Sequence, residues 1–140
     1  MPAMLSATLL CLIVAVGDHA TLTTRCDAAH PQRTQQLRLA GIAPPHPGQP
    51  FATVARETLA ELCLHQRARI THRGRGADGI VRVDMECGGL GAQQHLVALG
   101  LARVAEPVAP EQAWLRDIQR GAQQSRMGQW RDLRELAPNE

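Results

Sequence analysis

The hydrophobic residues of this chain fall into short runs and alternations that glycine and proline break often. Leu9–Val16 is an almost unbroken apolar run and reads as a buried first strand. Thr21–Cys26 is β-rich and follows it after Gly17-Asp18-His19-Ala20, a polar stretch of hairpin-turn length. Gln35–Ala40 reads as a third strand, with Leu37 and Leu39 on one face and Arg38 on the other. Gly41, Pro44, Pro45, Pro47 and Pro50 then force an irregular loop, a common setting for a site. Phe51–Leu64 has helical spacing, with Phe51, Val54, Ala55, Leu59 and Leu62 on one face and Pro50 well placed at its start.

Arg67–Arg73 alternates as a fourth strand, with Arg67, Arg69, Thr71 and Arg73 opposite Ala68, Ile70 and His72. A glycine-rich turn over residues 74–79 leads to a fifth strand, Ile80–Glu86, which Cys87-Gly88-Gly89 ends. Ala92–Leu99 reads as a short helix capped by Gly100. Pro110–Met127 is the longest helix, with Trp114, Leu115, Ile118 and Ala122 inward and Gly128 at its end. Five short strands with about three helices predict an α+β architecture, a five-stranded Greek-key β-barrel of the OB type packed by helices.

A length of 140 residues suits one such domain, with a possible vestigial leader over 1–8, the barrel domain over 9–132 and a tail over 133–140. Ala3–Val16 is apolar like the core of a secretory signal, yet no basic residue precedes it and no small-x-small site ends it. It is also too short to span a membrane as a helix, so no membrane partner is expected for the folded domain. All 15 basic residues are Arg, Tyr is absent, and the net charge is only +2. This balance and the few aromatics argue against strong nucleic-acid binding, which needs a concentrated basic surface or a stacking platform.

If Val16 pairs with Thr21, simple antiparallel register sets Cys11 opposite Cys26. A disulfide is favoured there over two buried thiols, and it implies an oxidising compartment, periplasmic or extracellular. Cys63 and Cys87 offer no register test and read as unpaired buried thiols.

The stretch LRLAGIAPPHPGQPF, Leu37–Phe51, resembles the arginine strand of the staphylococcal-nuclease-like (thermonuclease) family, which reads RLxGIDxPE…QPFG. CLIVAVGDHATLTTRC resembles that family's first hairpin, CxVxxVxDGDTLT, in its commonly exported members. HLVALGLARV resembles LVxxGLAxV, and RMGQW resembles the GLW-type end of the last helix, with Gln129 where Leu is usual. The likeness runs from about Cys11 to Trp130 and implies the family's OB fold. In active members two Asp residues hold calcium, a Glu positions or activates water, and two Arg residues bind the phosphate.

Carried over position by position, that set is mostly lost. The metal-binding Asp positions are Ala20 and Ala43, the Glu is His46, and the second Arg falls on Ile80. The aromatic before it is Asp78, and the nucleotide-packing tyrosines fall on Glu106 and Val108. Arg38 alone remains, as a phosphate anchor or as a structural ion-pairing residue. The resemblance therefore implies a catalytically degenerate domain, a binding or structural module with no cofactor, calcium included, and a partner of unknown class.

Two alternatives stand beside it. One is a repurposed phosphodiesterase using Arg38 with His46 as general base, with His19, Asp18 and His46 as transition-metal ligands. Against it, the histidines read as two exposed loop residues, because no local spacing such as HxxxH supports ligation. The other is a weak nucleic-acid binder through Arg67, Arg69 and Arg73, flanked by Arg75 and Arg82, against which these residues read as a solvated strand face. Asp84 and Glu86 read as one exposed strand face rather than a catalytic pair.

Overall fold

The computed structural model describes residues 8–26, 29–30 and 32–131. The expected leader, apart from Thr8, and the tail over 133–140 lie outside these residues. The chain runs β1 (Thr8–Val16), a 3-10 turn (Asp18–Ala20), β2 (Thr21–Arg25), β3 (Gln35–Leu39), β4 (Ile42–Ala43) and α1 (Ala52–Cys63). It continues through β5 (Arg67–Arg75), β6 (Val81–Cys87), β7 (Leu90–Gly91), α2 (Ala92–Ala98) and β8 (Arg103–Val104). A 3-10 turn at Pro110–Gln112, α3 (Trp114–Gln124) and a last 3-10 turn at Gly128–Arg131 complete it.

The sheet order is β3-β2-β1-β5-β6-β7, and an additional β3–β6 pairing closes the first five of these strands into a barrel. This is the OB fold that the sequence predicts. The closing contact is parallel, Leu37 to Val81, Arg38 to Arg82 and Leu39 to Val83, whereas the other strand pairs are antiparallel. β4 and β8 form a separate two-stranded ladder. Ile13, Leu22, Leu37, Ile70 and Val83 are fully buried inside the barrel wall, and Leu59, Leu96 and Leu115 bring the three helices onto the same core. Each such side chain contributes roughly 1.5–3 kcal/mol through burial.

The first hairpin does not pair as the simple register assumed. Val16 lies opposite Leu22, not Thr21, while Leu12 lies opposite Arg25. An extra residue between Ile13 and Ala15 absorbs the difference, a bulge that restores the expected alignment farther along. Cys11 and Cys26 therefore still meet, and they form a disulfide with Cα atoms 4.2 Å apart.

Cys63 and Cys87, expected as free thiols, form a second disulfide. The helical stripe Ala55, Leu59, Cys63 is the buried face of α1, and Val81, Val83, Met85, Cys87 is the inward face of β6. Both cysteines end stripes that point into one core, so their sulfurs converge. Three other expectations are also corrected. Val54 is 47% exposed because the buried stripe of α1 runs along Ala55, Leu59 and Cys63. His72 is exposed, since β5 pairs with β1 only as far as Thr71 and its register with β6 shifts between His72 and Gly74. The last helix is split: a 3-10 turn at Pro110–Gln112 precedes α3, the inward stripe of α3 is Leu115, Ile118 and Ala122 with buried Gln112 before it, and Trp114, the first residue of α3, lies off that stripe and is 47% exposed.

Among the described residues no helix is long and apolar enough to cross a membrane. The two disulfides fit an oxidising environment. Replacing Cys63 and Cys87 together by Ala is expected to lower the unfolding free energy by roughly 2–4 kcal/mol in urea titrations. An unchanged midpoint would mean that the second bridge adds nothing.

Candidate functional site

Arg38 leaves the outer face of β3 because its neighbours Leu37 and Leu39 are buried inward. Its Nε donates to Thr21 Oγ1 at 3.1 Å, across the β2–β3 pairing that sets the two residues opposite each other. Its Nη1 donates to Asp78 Oδ2 at 3.1 Å. The parallel β3–β6 pairing sets Arg82 alongside, and its guanidinium takes the same carboxylate with both terminal nitrogens, Nη1 to Oδ1 at 3.1 Å and Nη2 to Oδ2 at 3.2 Å. Asp78 Oδ1 also accepts the backbone N–H of Ile80 at 2.9 Å, an Asx turn that fixes the carboxylate. The result is one anion held between two guanidiniums. The Arg82 hydrogen bonds, then the Ile80 N–H and the two arginine charges, hold the Asp78 carboxyl below its ordinary range.

The other candidate positions lie on separate segments of the chain. His19 and His46 come together, His46 Nδ1 lying 3.3 Å from His19 Nε2. Asp18 turns away from both and pairs with Arg56 at 2.8 Å. Ala20 is buried with a left-handed φ of 55°, and Ala43 is exposed on β4. Ile80 gives the site only its backbone, its carbonyl accepting from Arg82 at 2.9 Å. Glu106 forms a two-pronged ion pair with Arg116, which holds its carboxyl below the usual range, and Val108 packs against the core.

A family model described as a staphylococcal nuclease homologue matches residues 27–132. The chain belongs to that family. Among curated proteins, no match was found. The family match begins after β2, so the first hairpin, where the likeness places the first metal-binding Asp position, lies outside it.

The residues of this staphylococcal nuclease homologue do not fit calcium. Calcium takes six to eight oxygen ligands, and positions 20 and 43 offer methyl groups instead. The nearest carboxylate on the first hairpin turn, Asp18, is engaged by Arg56. Among the described residues no group of three or more His, Cys, Asp or Glu side chains is arranged to hold a metal ion.

The arginine stripe of β5 is largely balanced by acids. Arg69 pairs with Glu86 at 3.9 Å, and Arg73 pairs with Asp84 at 2.5 Å and with Glu111 at 3.3 Å. Arg75 donates to the carbonyl of Gly79. Asp84 also has a structural use that the alternation left unread. Its Oδ1 accepts from the amides of Gln93 at 2.9 Å and Gln112 at 2.8 Å, both glutamines being buried. The network ties α2 and the turn before α3 to β6 beside a groove of about 370 Å³ flanked by Trp114.

Arg82 is the residue that sequence reasoning placed elsewhere. It read as a neighbour of the β5 stripe, although Val81, Val83 and Met85 facing inward already put Arg82 outward on β6. Nothing local announces a parallel partner, so its place beside Arg38 was not legible. Because the folded-state pKa of Asp78 is depressed, its contribution to stability is present above its unfolded value, about 4, and is lost as pH falls through the lower folded value. Urea midpoints from pH 6 to pH 2.5 are therefore expected to show a wild-type advantage over Asp78→Asn that is full at pH 6 and fades in acid. A gap that stays constant across that range would remove this assignment.

Proposed function

We propose that this chain is a pseudo-nuclease, a catalytically degenerate staphylococcal-nuclease-like domain serving as a binding or structural module in the periplasm or outside the cell. The observation that carries this reading is the internal use of Arg38. Its guanidinium, the one functional group retained from the family's catalytic set, is spent on Thr21 and Asp78. A phosphate entering there has to displace a carboxylate that Arg82 and the Ile80 N–H also hold. With Ala20 and Ala43 at the metal positions and His46 at that of the Glu, no carboxylate set is left to hold calcium or prepare a water molecule. Single losses of this kind cost about 10²-fold or more in rate, and several together need not add to abolish turnover.

The same charge accounting favours a protein partner over nucleic acid. Arg69 and Arg73 on β5 face acidic partners, and the domain has few aromatics to serve as a base-stacking platform. Trp114 and Leu90 are exposed instead, the first beside the groove at β6. The disulfides support export.

Hydrolysis of single-stranded DNA, RNA and a chromogenic phosphodiester with calcium is expected to stay at the uncatalysed background, and calcium titration to give no binding heat. Calcium-dependent cleavage that Arg38→Ala removes would overturn the proposal.

A further inference from the structure

We propose that His19 and His46 form a two-imidazole site for a divalent transition metal, zinc foremost, with its remaining coordination positions open to water or an incoming ligand. The site bridges the β1–β2 turn and the proline loop before α1. The facing atoms are His19 Nε2 and His46 Nδ1, 3.3 Å apart. Two zinc–nitrogen bonds of about 2.0–2.1 Å at a tetrahedral angle set their nitrogens about 3.3–3.4 Å apart. The same distance admits an N–H···N hydrogen bond between the rings, which a metal displaces as the donating ring takes its other tautomer. The rings are inclined by 63° with centroids 5.4 Å apart, so they meet edge to face and do not stack.

Both histidines are positioned without the metal. The backbone N–H of His46 donates to Gln49 Oε1 at 2.7 Å, and Gln49 N donates back to the His46 carbonyl at 2.9 Å. Pro44, Pro45, Pro47 and Pro50 restrict the rest of that loop. On the other side Gly17 N donates to the Thr21 carbonyl at 2.8 Å and closes the turn that carries His19 at a left-handed φ of 59°. A pair of ligands held on two anchored loops loses little freedom on binding a metal.

The donor set decides the class of ion. Imidazole suits zinc, nickel and copper, whereas calcium requires oxygens. Asp18 adjoins His19 but remains with Arg56, and the described residues supply no third His, Cys, Asp or Glu ligand, so the coordination is open rather than closed. Because the likeness sets His46 at the family's Glu position, this site bears on the pseudo-nuclease reading. Zinc binding without zinc-dependent phosphodiester cleavage keeps both, whereas cleavage that His46→Gln removes overturns that reading and leaves the site standing.

The test is calorimetric titration of the full chain with zinc, and with cobalt followed by its visible absorption. One equivalent is expected to bind saturably. His46→Gln, which keeps a hydrogen-bonding amide but removes the ligand, and His19→Ala are each expected to weaken binding by about tenfold or more. His72→Ala, an exposed histidine on β5, is expected to leave it unchanged. A measurement needing no variant is the selective broadening of the His19 and His46 ring signals by copper in the wild-type NMR spectrum. Absence of saturable zinc binding, equal binding in His46→Gln and His19→Ala, or broadening centred on other histidines would each overturn the site.

Discussion

The parallel contact between β3 and β6 is the constraint on which the remaining structure depends. It closes the barrel, so that β3 and β6, which would otherwise be left unpaired along one side, satisfy each other's backbone groups. It also sets Leu37 and Leu39 against Val81 and Val83 in the core, and Arg38 against Arg82 outside. Two like charges side by side on neighbouring strands destabilise the pairing unless an anion lies between them. Asp78, reached through the turn just before β6, supplies that anion. Fold closure and the pairing of Arg38 with Asp78 are thus one problem with one solution.

What was legible in the sequence follows from how local each cause is. Alternation along β1, β3, β5 and β6 and the punctuation by Gly and Pro carried the strand order and the barrel class. The Cys11–Cys26 bridge was legible for an incomplete reason. The assumed Val16–Thr21 pair is displaced by one residue, and a bulge cancels the displacement before the cysteines are reached. The Cys63–Cys87 bridge was in principle readable, because both residues end the buried stripes of α1 and β6. Recognising it required knowing that these stripes share one end of the core, which is a tertiary fact. Trp114 shows the opposite failure. It opens α3 one residue before Leu115, off the stripe of Leu115, Ile118 and Ala122, and its ring stays at the surface with its N–H on the Glu111 carbonyl.

At the site, single positions were readable and their combination was not. By the likeness to the family, Ala20, Ala43, His46 and Ile80 stand where its catalytic residues are expected. They do not report that Asp78 lies between Arg38 and Arg82, because those two arginines come from strands far apart in sequence. The approach of His19 to His46 was readable only as two loops converging on one end of the barrel. That Asp18 leaves them for Arg56 is set by α1, whose start follows the proline loop.

The distribution of charge across the molecule carries the argument one step further. Arg38, Arg56, Arg73, Arg82 and Arg116 each meet a carboxylate, so these guanidiniums are committed within the domain. An enzyme that acts on phosphodiesters needs cationic groups that become satisfied only when substrate arrives, and such groups weaken the empty fold. Here Arg38 and Arg82 are satisfied by Asp78 before any ligand binds, and two disulfides tie down the β1–β2 hairpin and the α1–β6 contact. That distribution agrees with the proposed loss of activity. The facing imidazoles of His19 and His46 depart from the pattern, since they meet each other rather than a carboxylate.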